Sequence, residues 1–199
     1  MSTRKDKFSK EDKKFMSLAL RLANARHGLT GDNPSVGCVI VKKNEIISIG
    51  QTGYAGRPHA EYNAIKNSNE ILEGSTMYVT LEPCSHYGQT PPCTKQIIEN
   101  KINKIIYSIE DVDKKVKGKS SKILESENII VKKGLIKKKI IDFYKPYFFN
   151  RKNKTPYVTG KIAISKNNLI YSKGTKRITD IHSDKFTHFL RYKNDSLMI

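Results

Sequence analysis

Two segments decide how this chain reads: Arg57-Pro58-His59-Ala60-Glu61, and further on Glu82-Pro83-Cys84-Ser85-His86-Tyr87-Gly88-Gln89-Thr90-Pro91-Pro92-Cys93. Pro58 presets the start of a helix, so His59 and Glu61 flank that start. Thr76 to Leu81 is an apolar, β-branched run, and the Pro83-Cys84 step ends it as a strand. Cys93 opens a short helix that reaches Asn100. One imidazole, one carboxyl and two thiols therefore all fall at the ends of regular elements.

The flanks build outward from this pair. Ser9 with Asp12 three residues later has the capping-box pattern, and Phe15, Leu18, Ala19, Leu22 and Ala23 recur at helical spacing, which predicts a first helix ending near Gly28. Residues 1–8 are expected to fray. Asp32-Asn33-Pro34 signals a turn, and Val36 to Val41 and Glu45 to Gly50 read as a hairpin closed by Lys43-Asn44. After the central stretch, strands over 102–109 and 129–132 alternate with helices over 120–127 and 135–149. Such alternation implies crossover connections and a mixed or parallel sheet covered on both faces, a three-layer α/β/α sandwich. The charged segment Arg151 to Pro156 marks a boundary between a domain of residues 1–150 and a segment of residues 157–199, with 151–156 as linker. Tyr157 to Ser165 reads as a strand, Asp180 to Tyr192 as a helix and Ser196 to Ile199 as the start of another strand. Two strands and a helix bury too little apolar surface to stand alone, so 157–199 reads as the front of a further domain.

Composition narrows the partners. The net charge of +18 invites a polyanion, but the positive residues are mainly scattered Lys with only seven Arg, whereas nucleic-acid readers rely on Arg and interleaved aromatics. No nucleic-acid partner is expected. No apolar run approaches the ~18 residues a membrane span requires, and the N-terminus lacks an apolar signal core, so a cytoplasmic protein without a membrane partner is expected. Three Cys is an odd number, which argues against a disulfide framework. Cys38 sits in an apolar run and reads as core.

His59, Cys84 and Cys93 supply the three ligands of a catalytic zinc, whose open fourth position acidifies a water to a pKa near 7. Side chains at i and i+2 on a helix do not share a face, so His59 and Glu61 serve one site only if the pair straddles the helix start. Glu61 would then take a proton from water and pass it to a departing nitrogen. His-x-Glu with a Pro-Cys and a second Cys is the parts list of a zinc-dependent deaminase. Two other readings stand beside it: a structural zinc knot with His86 as fourth ligand, and a lone His59 that merely caps a helix.

With these residues in view, the chain resembles the riboflavin-biosynthesis pyrimidine deaminase/reductases of RibD type. The resemblance rests on the eight residues between Cys84 and Cys93, on Asn33-Pro34-x-Val36-Gly37, on Thr80-Leu81-Glu82-Pro83 and on Gly56-x-x-His59-Ala60-Glu61. It implies a cytidine-deaminase-like fold, one zinc per chain, and deamination of 2,5-diamino-6-(5-phosphoribosylamino)pyrimidin-4-one, a phosphorylated pyrimidine. It places Asn33 and His86 on the pyrimidine. It aligns Asp111 to Gly118 with a loop near the ribose phosphate, where Asp111, Asp113 and Lys119 would contact the substrate, although two Pro of the family pattern are absent. Thr52 and Gln89 stand where relatives often carry His and Lys.

The resemblance continues into residues 157–199 as the first part of a dihydrofolate-reductase-like α/β domain, an NADPH-dependent reductase in that family. Lys161, Ser165, Thr179, Leu190, Arg191 and Asp195 fit its pattern, while Lys166-Asn167-Asn168 and Arg177 depart from it. Reductase activity is not expected of 199 residues, because NADPH needs the intact domain. The family usually assembles, so a homo-oligomer is expected. A nucleotide or RNA deaminase and a non-catalytic zinc scaffold for a partner reductase are the competing functions.

Overall fold

A computed structural model describes residues 8–88, 90–113, 116–170, 174 and 178–193. The expectations for residues 1–7, Gln89, Lys114, Lys115, Arg177, Asp195 and Ser196 to Ile199 lie outside the described residues. The chain divides into two compact units, Met1–Thr155 and Pro156–Ile199.

The first unit opens with α1 (Lys10–Ala25). Its start is fixed reciprocally: the Asp12 amide donates to Ser9 Oγ at 3.0 Å, and the Ser9 amide donates to Asp12 Oδ2 at 2.8 Å. Strands β1 (Gly37–Lys42) and β2 (Glu45–Gln51) follow as an antiparallel hairpin. Lys43 and Asn44 both take left-handed φ values, 49° and 68°, the conformation that lets a two-residue turn match the strand twist. Next come a short 3-10 turn (Tyr54–Gly56), α2 (Ala60–Lys66), β3 (Thr76–Leu81) and α3 (Cys93–Glu99). The unit ends with β4 (Lys104–Ile109), α4 (Lys119–Ser126), β5 (Ile130–Lys133) and α5 (Lys137–Asn153).

The strands form one sheet in the order β2-β1-β3-β4-β5, with antiparallel pairing from β2 to β3 and parallel pairing from β3 to β5. Gly37 lies directly against Ala19 and Ala23 of α1, and Gly50 lies directly against Ala60 and Ala64 of α2. Gly50 pairs with Cys38, the residue after Gly37, so the two helices cover opposite faces. Tyr78 and Thr80 of β3 face α1 and α5, through hydrogen bonds to Asp12 (2.7 Å) and Tyr144 (2.7 Å). Tyr107, paired with Val79 on the other face, bonds Ser121 of α4 at 2.6 Å. The result is α1 and α5 on one side of the sheet and α2, α3 and α4 on the other, the expected three-layer sandwich. Its core, which includes Cys38, Val39, Ile40, Val79, Ile97, Ile105, Ile106 and Leu124, is buried between these layers.

Two local expectations differ from the fold. Helix α5 runs through Arg151 to Asn153, residues expected in a linker, because basic side chains in a last turn suit the negative end of the helix dipole. Within the second unit, Tyr157 to Ser165 forms no strand; Val158, Ile162 and Ile164 are 84%, 67% and 52% exposed. A strand needs a neighbouring strand to pair with, and the described residues of this unit form none; the Ser165 amide instead bonds the Leu169 carbonyl at 2.8 Å in a local turn. The unit does contain α6 (Ile181–Lys193), whose start is tied by the Ser183 amide on Asp180 Oδ1 (2.7 Å). Among the described residues no helix is long and apolar enough to cross a membrane.

Candidate metal centre and active site

His59, Cys84 and Cys93 arrive at one point from three different elements. His59 is the residue before α2, in extended conformation (φ −68°, ψ 157°), so it stands outside the helix whose second residue is Glu61. This resolves the i, i+2 problem: the imidazole leaves from the extended chain and the carboxyl from the first helical turn. Cys84 follows the end of β3 by three residues, and Cys93 is the first residue of α3. Nδ1 of His59 lies 3.5 Å from Cys84 Sγ and 3.4 Å from Cys93 Sγ, and the three donor atoms lie within 4.8 Å of one another. The Cys93 amide donates to Cys84 Sγ at 3.3 Å, and the Thr94 amide to the Cys84 carbonyl at 3.1 Å, so the start of α3 holds the first thiol in place.

This donor set fits zinc. Two thiols and one imidazole give the Cys2His combination of open catalytic sites, and His86 does not join the cluster as a fourth donor. The thiols also behave as a ligand pair. The hydrogen bond from Cys93 lowers the Cys84 thiol to about 4, while the bond to Cys84, together with burial, pushes Cys93 well up. A bound cation would favour the thiolate form of both.

Glu61 is 4% exposed and its carboxyl is pushed up to about 7 by burial, against the pull of His59. A carboxyl near neutrality can accept and return a proton at working pH. The outer nitrogen of the same imidazole, Nε2, lies 3.3 Å from Arg57 Nη1, which also donates to Thr90 Oγ1 at 2.9 Å. Arg57 thereby links the helix start to the loop between the two Cys. Sequence reasoning gives neither Arg57 nor Glu82 a part; a charged residue directly before a Pro at the edge of a motif is the signal available for both.

The remaining expected residues are distributed around this centre. Asn33 packs against Gly56 (φ +89°), where a Cβ would overlap its side chain, so the Asn33 turn sits beside the turn that leads to His59. Thr52 is buried: it accepts from the Val36 amide at 2.9 Å and donates to the Pro34 carbonyl at 3.2 Å, clamping the segment after Asn33. His86 is half-buried, and its Nδ1 has no hydrogen-bond partner among the described residues. Asp111 is buried with Oδ1 accepting from the Asp113 amide (3.0 Å) and the Tyr147 hydroxyl (3.3 Å); burial raises its carboxyl. The Asp113 carbonyl accepts from the Val116 and Lys117 amides, and Lys119 is exposed at the start of α4. In the second unit, Lys161 is exposed, Ser165 Oγ accepts from the Leu169 amide (3.0 Å), Thr179 donates to Asp184 (2.9 Å) and Arg191 lies in the last turn of α6.

Known proteins resemble this chain in sequence and fold. Residues 9–109 match the family described as the cytidine and deoxycytidylate deaminase zinc-binding region. The chain is 36% identical over 190 residues to the riboflavin biosynthesis protein RibD of Aquifex aeolicus, covering 94% of this chain and 53% of that protein. It is 40% identical over 142 residues to the diaminohydroxyphosphoribosylamino-pyrimidine deaminase of Buchnera aphidicola, covering 71% of this chain and 97% of that protein. Among solved structures, the diaminohydroxyphosphoribosylaminopyrimidine deaminase/5-amino-6-(5-phosphoribosylamino)uracil reductase of Thermotoga maritima superposes with a TM-score of 0.81 at 34% identity, covering 91% of this chain and 53% of that one. The chain thus spans about half the length of the RibD proteins it matches. With its three-donor cluster inside the matched region, the chain belongs to the cytidine and deoxycytidylate deaminase zinc-binding family and, within it, to the RibD-type pyrimidine deaminases.

Proposed function

We propose that this chain hydrolytically deaminates 2,5-diamino-6-(5-phosphoribosylamino)pyrimidin-4-one in riboflavin biosynthesis. The observation that carries the reading is a cluster of three donors, with no fourth among the described residues, and a buried carboxyl two residues from the first of them. A closed structural knot would need a fourth ligand and would have no use for Glu61. The choice of substrate draws on the relatives, one of which bears that deaminase activity as its name and is covered almost end to end.

His59, Cys84 and Cys93 would hold zinc, which when bound supplies the Lewis acidity that makes water a nucleophile near neutral pH. Glu61 receives the proton of the attacking water and delivers it to the leaving amine, so nitrogen departs as ammonia. Burial keeps Glu61 out of competition with bulk solvent, and the short α2 fixes it relative to His59. His86, with its unpartnered ring nitrogen, and Asn33 are assigned to the pyrimidine. Asp111 shapes the following loop through its bonds to Asp113 and Tyr147, and exposed Lys119 supplies a point charge for the phosphate.

Residues 1–150 are assigned as the deaminase domain and 157–199 as the first part of a reductase domain. A cytoplasmic location and assembly into a homo-oligomer complete the reading. The test is ammonia release from the zinc-loaded protein given the diaminopyrimidine ribotide, cytidine or adenosine-containing RNA. Turnover confined to the ribotide and lost by at least about a hundredfold in Glu61→Gln is expected. Turnover of cytidine or RNA alone would favour a nucleotide or RNA deaminase, and turnover of none would leave a scaffold.

A further inference from the structure

Glu82 lies two residues before Cys84 and is 4% exposed. Its carboxylate is held by four hydrogen-bond donors. Oε2 accepts from the Asp111 amide (3.3 Å) and the Gly118 amide (3.0 Å), and Oε1 accepts from the Ser120 amide (3.2 Å) and Ser120 Oγ (2.7 Å). A buried carboxylate persists only where such donors replace its water, and charge-assisted bonds of this kind are roughly twice as strong as neutral ones.

The position of those donors gives Glu82 its reach. They bracket the segment from Asp111 to Ser120, one oxygen gripping both ends of the loop and the other gripping the first turn of α4. Helix α4 has no capping side chain of its own: the residue before it is Gly118 at φ +70°. Glu82 therefore serves as a cap delivered from the end of β3. On its own backbone, the Glu82 amide bonds the Ile109 carbonyl at 3.0 Å, continuing the β3–β4 pairing, and Pro83 leaves little freedom before Cys84. Glu82 thus joins the end of β3, two residues before Cys84, to Asp111, Gly118 and Ser120.

We propose that Glu82 is a positioning residue that couples the Cys84 position to Asp111, Gly118 and Ser120, so that filling the metal site orders these three residues, which flank the place assigned to the phosphoribosyl end of the substrate. The substrate half of this statement rests on the proposed function; the coupling itself does not. Glu82→Gln keeps the volume but turns an amide N–H2 toward backbone or hydroxyl donors on one side, which opposes two of the four bonds.

Amide hydrogen exchange on the full chain, with and without zinc, tests the coupling. In the wild type, zinc is expected to slow exchange at Asp111, Gly118 and Ser120 by about tenfold or more. In Glu82→Gln, zinc still binds and still protects the Cys93 and Thr94 amides, but the effect at Gly118 and Ser120 disappears. Absence of zinc-dependent protection at Asp111, Gly118 and Ser120 in the wild type, or its full retention in Glu82→Gln, overturns the proposal. Should Glu82→Gln fail to fold, Ser120→Ala, which deletes a single donor, is expected to lose part of the protection, and unchanged protection there overturns it equally. With the ribotide, Glu82→Gln is expected to raise KM about tenfold with kcat changed less than about threefold. Lost exchange coupling with an unchanged KM refutes the substrate half alone. A wild type that does not turn over the ribotide refutes the substrate assignment, while the exchange experiment still decides the coupling.

Discussion

Gly50→Ala is the most informative single perturbation of the site. A Cβ at residue 50 would overlap the Ala60 carbonyl and the Ala64 amide of α2, and would stand 2.9 Å from the α-carbon of Ala64, where ordinary van der Waals separation begins at 3.4 Å. Restoring that separation alone requires a shift of roughly half an ångström, and the backbone overlaps demand more, so α2 must move by about 1 Å. Overpacking of this kind costs about 1–3 kcal/mol of stability. The same movement displaces His59 and Glu61, and misplacement by about 1 Å can cost up to about a hundredfold in rate. Gly37→Ala makes the mirror experiment: its Cβ would overlap Ala19 of α1 on the opposite face, and α1 carries none of the site residues. Gly160→Ala meets nothing within 4 Å and serves as control. Urea unfolding and kcat per zinc-loaded chain are the assays. Both Gly50→Ala and Gly37→Ala should lower the unfolding midpoint, but only Gly50→Ala should lower kcat by about tenfold or more. Equal losses of kcat in the two variants would refute the argument that α2 is positioned for chemistry by its packing on the sheet.

Other outcomes follow from the same structure. Tyr144→Phe removes a buried hydroxyl that donates to the Ser35 carbonyl (2.8 Å) and bonds Thr80 Oγ1 (2.7 Å); the Ser35 carbonyl loses that donor while Thr80 Oγ1 still accepts from the Gly37 amide (3.2 Å), so the change should cost about 1–3 kcal/mol, read as a lower urea midpoint with unchanged slope. Cys84→Ser should reduce bound zinc far below one per chain, and a chelator should lower the melting temperature of the wild type, with recovery on adding zinc. Burial raises the Asp12 carboxyl, but the Tyr78 hydroxyl and the Ser9 amide more than offset this and hold it below its ordinary value. Asp12 therefore contributes stability that is present above about pH 4 and is lost as pH falls through its lowered folded value. Asp12→Asn should flatten that part of a stability profile measured by urea between about pH 3 and 6, and an unchanged profile would remove the cap from the acid response.

Much of this was legible because the decisive signals are local. Ser9 and Asp12 sit three residues apart and need only each other, and the β-branched run Thr76–Leu81 is bounded by Pro83 whatever else the chain does. The donors His59, Cys84 and Cys93 stood out by residue type and by the Pro beside them, and the fold gathers those three. What escaped is long-range. The partners of Glu82 lie 29 to 38 residues away and are mostly backbone amides, which no residue pattern announces. Thr52 is tied to Val36 and Pro34 by bonds that its residue type alone does not announce. Tyr157 to Ser165 misled for the complementary reason. Alternating apolar residues express a tendency to be covered, and the strand forms only when something supplies the cover.

The eight residues between Cys84 and Cys93 are suspended between two fixed posts, the end of β3 and the first turn of α3. β3 is held by the sheet, and the start of α3 is tied to Cys84 by the Cys93 and Thr94 amides and to Pro92 by the Lys95 and Gln96 amides on its carbonyl. Residues before Pro92 can therefore vary in length and composition while these bonds keep both thiols in place. The span is thus a replaceable insert between two anchored thiols, tolerant of change in its middle and constrained at its Pro92 end.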